Sequence, residues 1–271
     1  VAIDADTLVS IADFKVYASI TTAADDVILQ QTIDRASAVA CSYCGRKFVQ
    51  QDFLEIRDTF GNRRLALKQS PISVVRFVGV GWDNVVAVDS TIASDAFASI
   101  SVDDTHVHLY RVDSNGGAHQ TTISLNSHNT STEIATQITS TTGFRGSATL
   151  NVPAKYIRRL AGRDLRNSTA YLEAPTESVY DYQVDLATGV LYGGQLHLYR
   201  SMLIDYTAGY ETIPLDVQQA VMMIAQRIYH GRKRDMGVGS ESLGGYSYSL
   251  RGSAEIDMEA KMLLDPYRRL R

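Results

Sequence analysis

The stretch from Tyr206 to Leu250 constrains this chain more than any other. It reads Tyr206-Thr207-Ala208-Gly209-Tyr210, then Ile213-Pro214-Leu215-Asp216, a helical pattern from Gln218 to His230, and Gly231-Arg232-Lys233-Arg234. Pro214 suits the first helical turn, where a missing N–H costs little, and Asp216 sets a negative charge against the positive end of the helix dipole. Val217, Ala220, Val221, Ile224, Ala225 and Ile228 recur at three- and four-residue steps, which places them on one apolar stripe. Gly231 is expected to stop the helix. From Pro214 to His230 such a helix is about 25 Å long, enough to hold the core of a small domain together. The next segment is permissive at Gly237, Gly239, Gly244 and Gly245, yet it carries Leu243, Tyr246, Tyr248 and Leu250. A segment meant only to be solvated holds few such side chains. The arm is therefore expected to dock onto another surface.

The 26 Lys and Arg against 30 Asp and Glu give a net charge of −4 over 271 residues, which argues against a general nucleic-acid binder and leaves only local or transient DNA contact. No apolar run long enough for a membrane span and no basic-then-apolar leader is found, so neither a membrane segment nor a secretory signal is expected. Cys41 and Cys44 have Cys-x-x-Cys spacing, but a lone pair is half a zinc site and no second pair completes it. One turn apart on a helix, they read as two small residues packed at its end, compatible with a reducing cytosol.

Taken in order, Thr7 to Ile20 suggests a short helix with Leu8, Ile11, Phe14 and Tyr17 on one side. Asp25-Asp26 opens a longer one carrying Val27, Ile28, Ile33, Ala36, Ala40 and Cys44, with Gly45 as the left-handed residue that ends it. Phe48 to Thr59 reads as a strand, Gly61-Asn62 as a turn, Arg64 to Lys68 as the returning strand, and Val74 to Val80 as a strand after Pro71. From about Gly81 to Pro175, Ser and Thr become dense and apolar alternation dominates. Phe97 to Val102 and Thr105 to Val112 are expected strands, Asp113 to Gly117 a hairpin turn, and His119 to Leu125 the strand that pairs back. Thr130 and Glu133 form a capping box for a helix with Ile134 and Ile138, and Ala148 to Val152 reads as a strand. Tyr180 to Leu186, Val190 to Tyr192 and Gln195 to Tyr206 read as strands feeding the long helix. Glu255 to Leu264 reads as a last amphipathic helix with Ile256, Met258, Met262 and Leu263, followed by Pro266 and a basic tip of Tyr267, Arg268, Arg269 and Arg271.

Neither Gly-x-Ser-x-Gly nor a phosphate loop is present, so no nucleophile or nucleotide site is expected. His106 and His108 lie two apart on one strand face just after Asp103 and Asp104. That spacing is compatible with a metal, but two histidines beside a turn are far more often ordinary surface residues, and no metal site is expected. Lys155, Arg158, Arg159, Arg163 and Arg166 fall on an expected helix and its exit, where a solvated face explains them. Arg232, Lys233 and Arg234 directly follow the long helix; its dipole accounts for one cation there, and three in a row before an aromatic arm suit an acidic partner surface.

The Tyr206–Tyr210 run, Ile213-Pro214, the helix, the basic patch and Glu241-Ser242-Leu243-Gly244-Gly245-Tyr246-Ser247 together resemble the head-to-tail connector (adaptor, neck or head completion) proteins of tailed bacteriophages. Tyr43-Cys44-Gly45-Arg46-Lys47-Phe48 and Leu65-Ala66-Leu67 leading into Ser70-Pro71-Ile72-Ser73-Val74 resemble the same family. The resemblance covers roughly residues 1–80 and 178–271. It implies an α+β fold, a small helical bundle with β-strands, in core segments 1–80 and 176–271 with a C-terminal docking arm at 232–271; residues 81–175, where the composition changes and the resemblance lapses, read as an inserted α+β domain. The resemblance implies a non-enzymatic virion protein without cofactor or bound metal. Several copies, twelve by analogy with the portal, would form a ring under the portal, join it to a stopper, tail-terminator or other tail protein, and line a channel where genomic DNA makes only transient contact. Gly45, Arg46, Phe48, Tyr206, Gly209, Tyr210, Pro214 and Tyr246 carry over as structural or interface positions. The expected portal-facing set is Arg232, Lys233, Arg234, Leu243, Tyr246, Tyr248, Leu250 and Tyr267. Two readings from other classes stand beside it: a metal-dependent enzyme using the histidine-bearing insertion, and a host- or carbohydrate-binding appendage on its Ser/Thr-rich surface.

Overall fold

The computed structural model describes residues 6–59, 61–194, 196–198, 201–232, 240–243, 246–249 and 256–269. It is a mixed α+β structure. Two helices come first, α1 (Ile11–Tyr17) and α2 (Asp26–Cys44), followed by β1 (Gln51–Arg57), β2 (Arg64–Ala66), β3 (Ile72–Ser90), β4 (Phe97–Val102), β5 (His106–Val112) and β6 (Ala118–Ser124). Next are α3 (Ser131–Ser140), β7 (Phe144–Ala148), β8 (Leu160–Asp164), β9 (Ala170–Ser178), β10 (Gln183–Asp185), β11 (Val190–Tyr192) and β12 (Met202–Ala208). Helix α4 (Leu215–Gly231), strands β13 (Ser240–Leu243) and β14 (Tyr246–Ser249), and helix α5 (Met258–Leu264) complete the described chain.

Helix α2 exists because Leu29, Ile33, Ala36 and Ala40 fall on one face, where they are buried against Val217, Ala220, Val221, Ile224 and Ala225 of α4 and Ala260 and Leu264 of α5. The alanines let the helix axes approach, and Gly45 ends α2 in the left-handed conformation expected of it, at φ 66°. Val27 and Ile28, expected on the buried stripe, are exposed, because the face is set by Leu29 and Ile33 one position further round. The long helix likewise buries its expected stripe from Val217 to Ala225, with Ile228 half-buried. Its ends differ from expectation. Pro214 is the N-cap itself, and Gly231 is the last helical residue, with Arg232 still in right-handed geometry, its N–H donating to the Ile228 carbonyl at 3.2 Å. In α5 the buried residues are Ala260 and Leu264, whereas Met258 and Met262 face outward.

Strand β3 is the spine of the largest sheet. Gly79 pairs with Leu203 of β12 on one edge and Ser178 of β9 on the other, and Val86 pairs with Ala148 of β7 and Leu172 of β9. Hence β12 and β7 follow one another along one edge of β3, β9 runs along the other, and β1 lies outside β12. The strand continues through Gly81, where the sequence suggested a break: Gly81 takes a φ of 67°, which glycine adopts freely, and the ladder to β9 runs on from Val80 to Trp82. Strands β1 and β2 do not form the expected hairpin, since β1 pairs with β12 while β2 pairs with β11 in a three-stranded sheet with β10. The strand expected from Gln195 begins only at Met202, and that expected from Tyr180 is confined to Gln183–Asp185.

The hairpin of β5 and β6 around Asp113–Gly117 is as expected and sits in a four-stranded sheet ordered β6-β5-β4-β8. Thr130 caps α3 by accepting from the Glu133 N–H at 3.3 Å, while the Glu133 carboxylate reaches one residue further than a capping box requires, to the Asn129 N–H at 2.8 Å. Two local expectations fail here. The strand placed at Ala148–Val152 lies at Phe144–Ala148, because Ser131 draws the following loop away by donating to the Leu150 carbonyl at 2.6 Å. The helix expected around Lys155 is a single 3-10 turn at Ala154–Tyr156 followed by β8, since β4 offers a free edge that outweighs helix propensity.

Buried apolar side chains form three clusters. One is drawn from residues 85–174 plus Leu203, one from the helices with Phe48, and one from Leu65 to Val80 together with Val179 to Ala208.

Candidate functional site

Of the residue blocks that carried the resemblance, Tyr43–Phe48, Ser70–Pro71 and Gly209–Tyr210 meet at one place, the junction of the helices with the large sheet. Gly45 turns the chain out of α2, after which the Arg46 guanidinium donates to the Ser70 carbonyl at 3.3 Å and the Lys47 N–H to the Gln69 side-chain oxygen at 2.8 Å. Phe48 is fully buried, and its carbonyl accepts from the Tyr210 N–H at 2.8 Å. Gly209, at φ 110°, donates its N–H to the Pro71 carbonyl at 2.9 Å. Tyr267 closes the group edge-on, its ring centroid 5.9 Å from Phe48 and 6.2 Å from Tyr210. Arg269 then binds back along the chain: its N–H donates to the Cys44 carbonyl at 2.9 Å, and its guanidinium to the Lys68 and Leu67 carbonyls at 2.7 and 3.0 Å. The basic tip expected at the C-terminus is thus, at Arg269, an internal clasp.

Beside the junction, Tyr206 is fully buried and donates to Glu55 Oε1 at 2.9 Å, while the Gln69 N–H donates to its phenol oxygen at 3.2 Å. The Lys68 N–H donates to the same Glu55 oxygen at 2.9 Å. Burial, and next the Glu55 charge, raise the Tyr206 phenol above its ordinary range, so it remains a donor. Replacing Tyr206 with Phe should therefore cost about 1–3 kcal/mol, because Glu55 is left short of a donor in a buried place. Chemical denaturation, with an unchanged m-value, is the check.

Sequence reasoning missed Asp205 entirely. It is 2% exposed and accepts from Arg76 Nε at 2.9 Å, Lys155 Nζ at 2.5 Å and the Tyr156 hydroxyl at 3.0 Å. Arg76 also donates to Asp52 at 2.6 Å. Burial pushes the Asp205 carboxyl up, but the bonds from Arg76 and Lys155 outweigh it and hold the group below its ordinary value. The aspartate ties β12 to β3 and to the 3-10 turn that begins at Ala154. No sequence pattern announces it, because its three donors come from two distant parts of the chain, Arg76 on β3 and Lys155-Tyr156 on the 3-10 turn.

Residues 167–270 match the family model described as Head completion protein. The matched segment contains Tyr206, Gly209, Tyr210, Pro214 and Tyr267, so the C-terminal half of the junction carries the head completion pattern. Among solved structures, the chain is similar to "Neck of empty GTA particle computed with C6 symmetry" at 14% identity and TM-score 0.47, covering 100% of this chain and 94% of that one. It is similar to "Neck of native GTA particle computed with C12 symmetry" at 14% identity and TM-score 0.39, covering 100% and 93%. A third is "Virion of native gene transfer agent (GTA) particle", at 15% identity and TM-score 0.38, covering 100% and 94%. No curated protein matches the chain.

Of the residues expected to face a portal, Arg232 and Tyr267 are held within the chain. Arg232 donates to Asp25 at 2.8 Å, and its guanidinium lies over the Tyr229 ring at 4.3 Å, while the Tyr229 hydroxyl donates to Asp25 at 2.6 Å. Tyr267 packs inward as described. Lys233, Arg234 and Leu250, with Gly237, Gly239, Gly244, Gly245, Glu255 and Arg271, lie outside the described residues. Leu243, Tyr246 and Tyr248 are described as strand positions, with Leu243 opposite Tyr246 and Glu241 opposite Tyr248.

The earlier basic cluster is largely neutralised. Lys155 serves Asp205, Arg158 faces Glu173 at 3.6 Å, Arg159 pairs with Asp104, and Arg166 with Asp164 at 2.8 Å. His106 and His108 do share a strand face; Asp103 pairs with His108 Nε2 at 2.8 Å, and that contact first, then backbone donors, hold its carboxyl well below the ordinary range. Among the described residues no group of three or more His, Cys, Asp and Glu side chains has the arrangement of a metal site. Cys41 and Cys44 are buried free thiols; Cys44 donates to the Leu264 carbonyl at 3.6 Å, and burial pushes it up to about 11, which disfavours the reactive thiolate. No described helix is long and apolar enough to cross a membrane.

Proposed function

We propose that this chain is a structural neck protein of a tailed-phage-like particle, a head completion component at the head–tail interface that joins the portal to the next neck or tail protein. The observation that carries this reading is the family match over residues 167–270, the segment that supplies half of the motif junction. The residues of that junction pack and hydrogen-bond with one another, as befits structural rather than catalytic positions.

The chain divides functionally into a connector core, 1–80 with 176–271, and an insertion at 81–175. The partition of the buried clusters supports this division: one is drawn almost wholly from residues 85–174, and the other two only from residues outside that span. Several copies form a closed ring under the portal, each with two different complementary faces, as a head-to-tail repeat requires. The ring's net negative charge suits a channel through which DNA slides without sticking.

Within the expected arm, residues 256–269 belong to the core, and the docking element is the β13–β14 hairpin with its flanks. A two-stranded hairpin is marginal by itself, so a partner surface stabilises it, and many weak contacts in a ring act together.

Light scattering of the protein alone and after mixing with portal rings from the same particle tests the reading. Truncation before Arg232 is unsuitable, since it removes the buried Ala260 and Leu264. The informative variant replaces residues 233–255 with a Gly/Ser linker of equal length. The full chain should join portal rings in near-stoichiometric amounts and the linker variant, still folded, should not. Failure of the full chain to bind portal would remove the connector function.

A further inference from the structure

We infer that the ring contact between copies is made by the outward face of α2 on one copy and the outward face of α5 on the next. This rests on the ring proposed above and names its two faces. On α2, Val27, Gln31, Arg35 and Val39 recur every four residues on the side turned away from α4. Val27 is 55% and Val39 36% exposed, and Arg35 between them has no ion-pair partner among the described residues.

On α5, Met258 and Met262 stand one turn apart, 71% and 68% exposed, and Glu259 beside them is also without a partner among the described residues. Many other described surface cations and carboxylates are satisfied within the chain, Arg232 by Asp25 and Arg159 by Asp104 among them. Arg35 and Glu259 are opposite charges, Arg35 standing with Gln31 between two exposed valines of α2 and Glu259 beside two exposed methionines of α5.

The occupant that fits each stripe is therefore the other one, carried by a second copy of this chain. Within one copy the two cannot meet, because α2 and α5 both turn their opposite sides into the shared helical core. Two different faces that complement each other give a heterologous contact, which repeats by rotation rather than stopping at a dimer. Methionine suits such a face because its side chain adapts to a partner's contour.

Charge reversal separates this from other arrangements. Native mass measurements would count the copies gathered on portal rings, or in free assemblies, for the full chain, for Arg35→Glu and for Glu259→Arg. Each single variant should need at least about tenfold more protein to reach the same assembly, because like charges then face each other at every contact. An equimolar mixture of the two variants should assemble better than either alone, since an altered face of one variant can then meet the complementary charge carried by the other. Thermal melting of the separate variants should match the unmodified chain, both positions being exposed.

Single variants that assemble normally, or a mixture that fails to recover, would overturn the assignment of these faces while leaving the ring intact. An unmodified chain that never gathers more than one copy at any concentration would overturn the ring and this inference with it.

Discussion

Gly209→Ala is expected to destabilise the protein by about 3–5 kcal/mol, from a strained backbone and a steric clash at the same position. The residue sits at φ 110°, where an L side chain is strained whatever the space around it. A Cβ there would also lie 2.5 Å from the Val49 carbonyl oxygen and 2.7 Å from Gln50 Cα, both backbone atoms that cannot swing aside. Moving them breaks the bridge between Val49 and Tyr210 and disturbs Phe48, so the loss spreads from sheet to helices. The melting temperature should fall by on the order of 10 °C. Gly116 in the β5–β6 turn is the control: its φ is 86°, a Cβ added there would have open space for 4 Å around it, and alanine should cost only about 1 kcal/mol. Equal losses at the two positions would show that backbone strain alone governs Gly209.

Asp205→Asn is the second large effect, with an expected cost of about 3 kcal/mol at neutral pH, since the change leaves Arg76 and Lys155 facing a neutral group in a buried place. Its pH dependence carries a sign. The folded carboxyl is held below the ordinary value of 3.8, so its contribution is fully present above that value and is lost as pH falls through the lower folded value. The stability gap between the unmodified protein and Asp205→Asn should accordingly be constant from about pH 7 to 5 and narrow below about 4. Urea titrations at these pH values read it directly. A gap that stays open in acid would mean that Asp205 acts through shape and not charge.

These two positions differ in how far the sequence reveals them. Gly209 lies in a run that stands out in the sequence, and its role as a structural position follows from the resemblance that the run carries. Asp205, one residue before that run, reads like any strand aspartate. Its partners Arg76, Lys155 and Tyr156 are 129, 50 and 49 residues away, and nothing local ties them to it. The same contrast holds for secondary structure. Helix α2 with its Gly45 cap, the buried stripe of α4 and the β5–β6 hairpin follow from periodicity and turn chemistry, which act over a few residues. The helix expected around Lys155 and the hairpin expected between Phe48 and Lys68 failed because distant edges, β4 for β8 and β12 for β1, competed with local preference and won.

The α+β character and the principal helices are legible in the sequence because each depends on spacing within one element, and the motif residues because of the resemblance they carry. Only the fold brings Gly45–Phe48, Ser70–Pro71 and Gly209–Tyr210 into a single junction, turns Arg269 and Tyr267 inward to close it, and holds Arg232 on Asp25. Hydrogen bonds and burial between residues far apart in the chain settle such matters, and they have no local signature because loop closure, not spacing, brings the partners together.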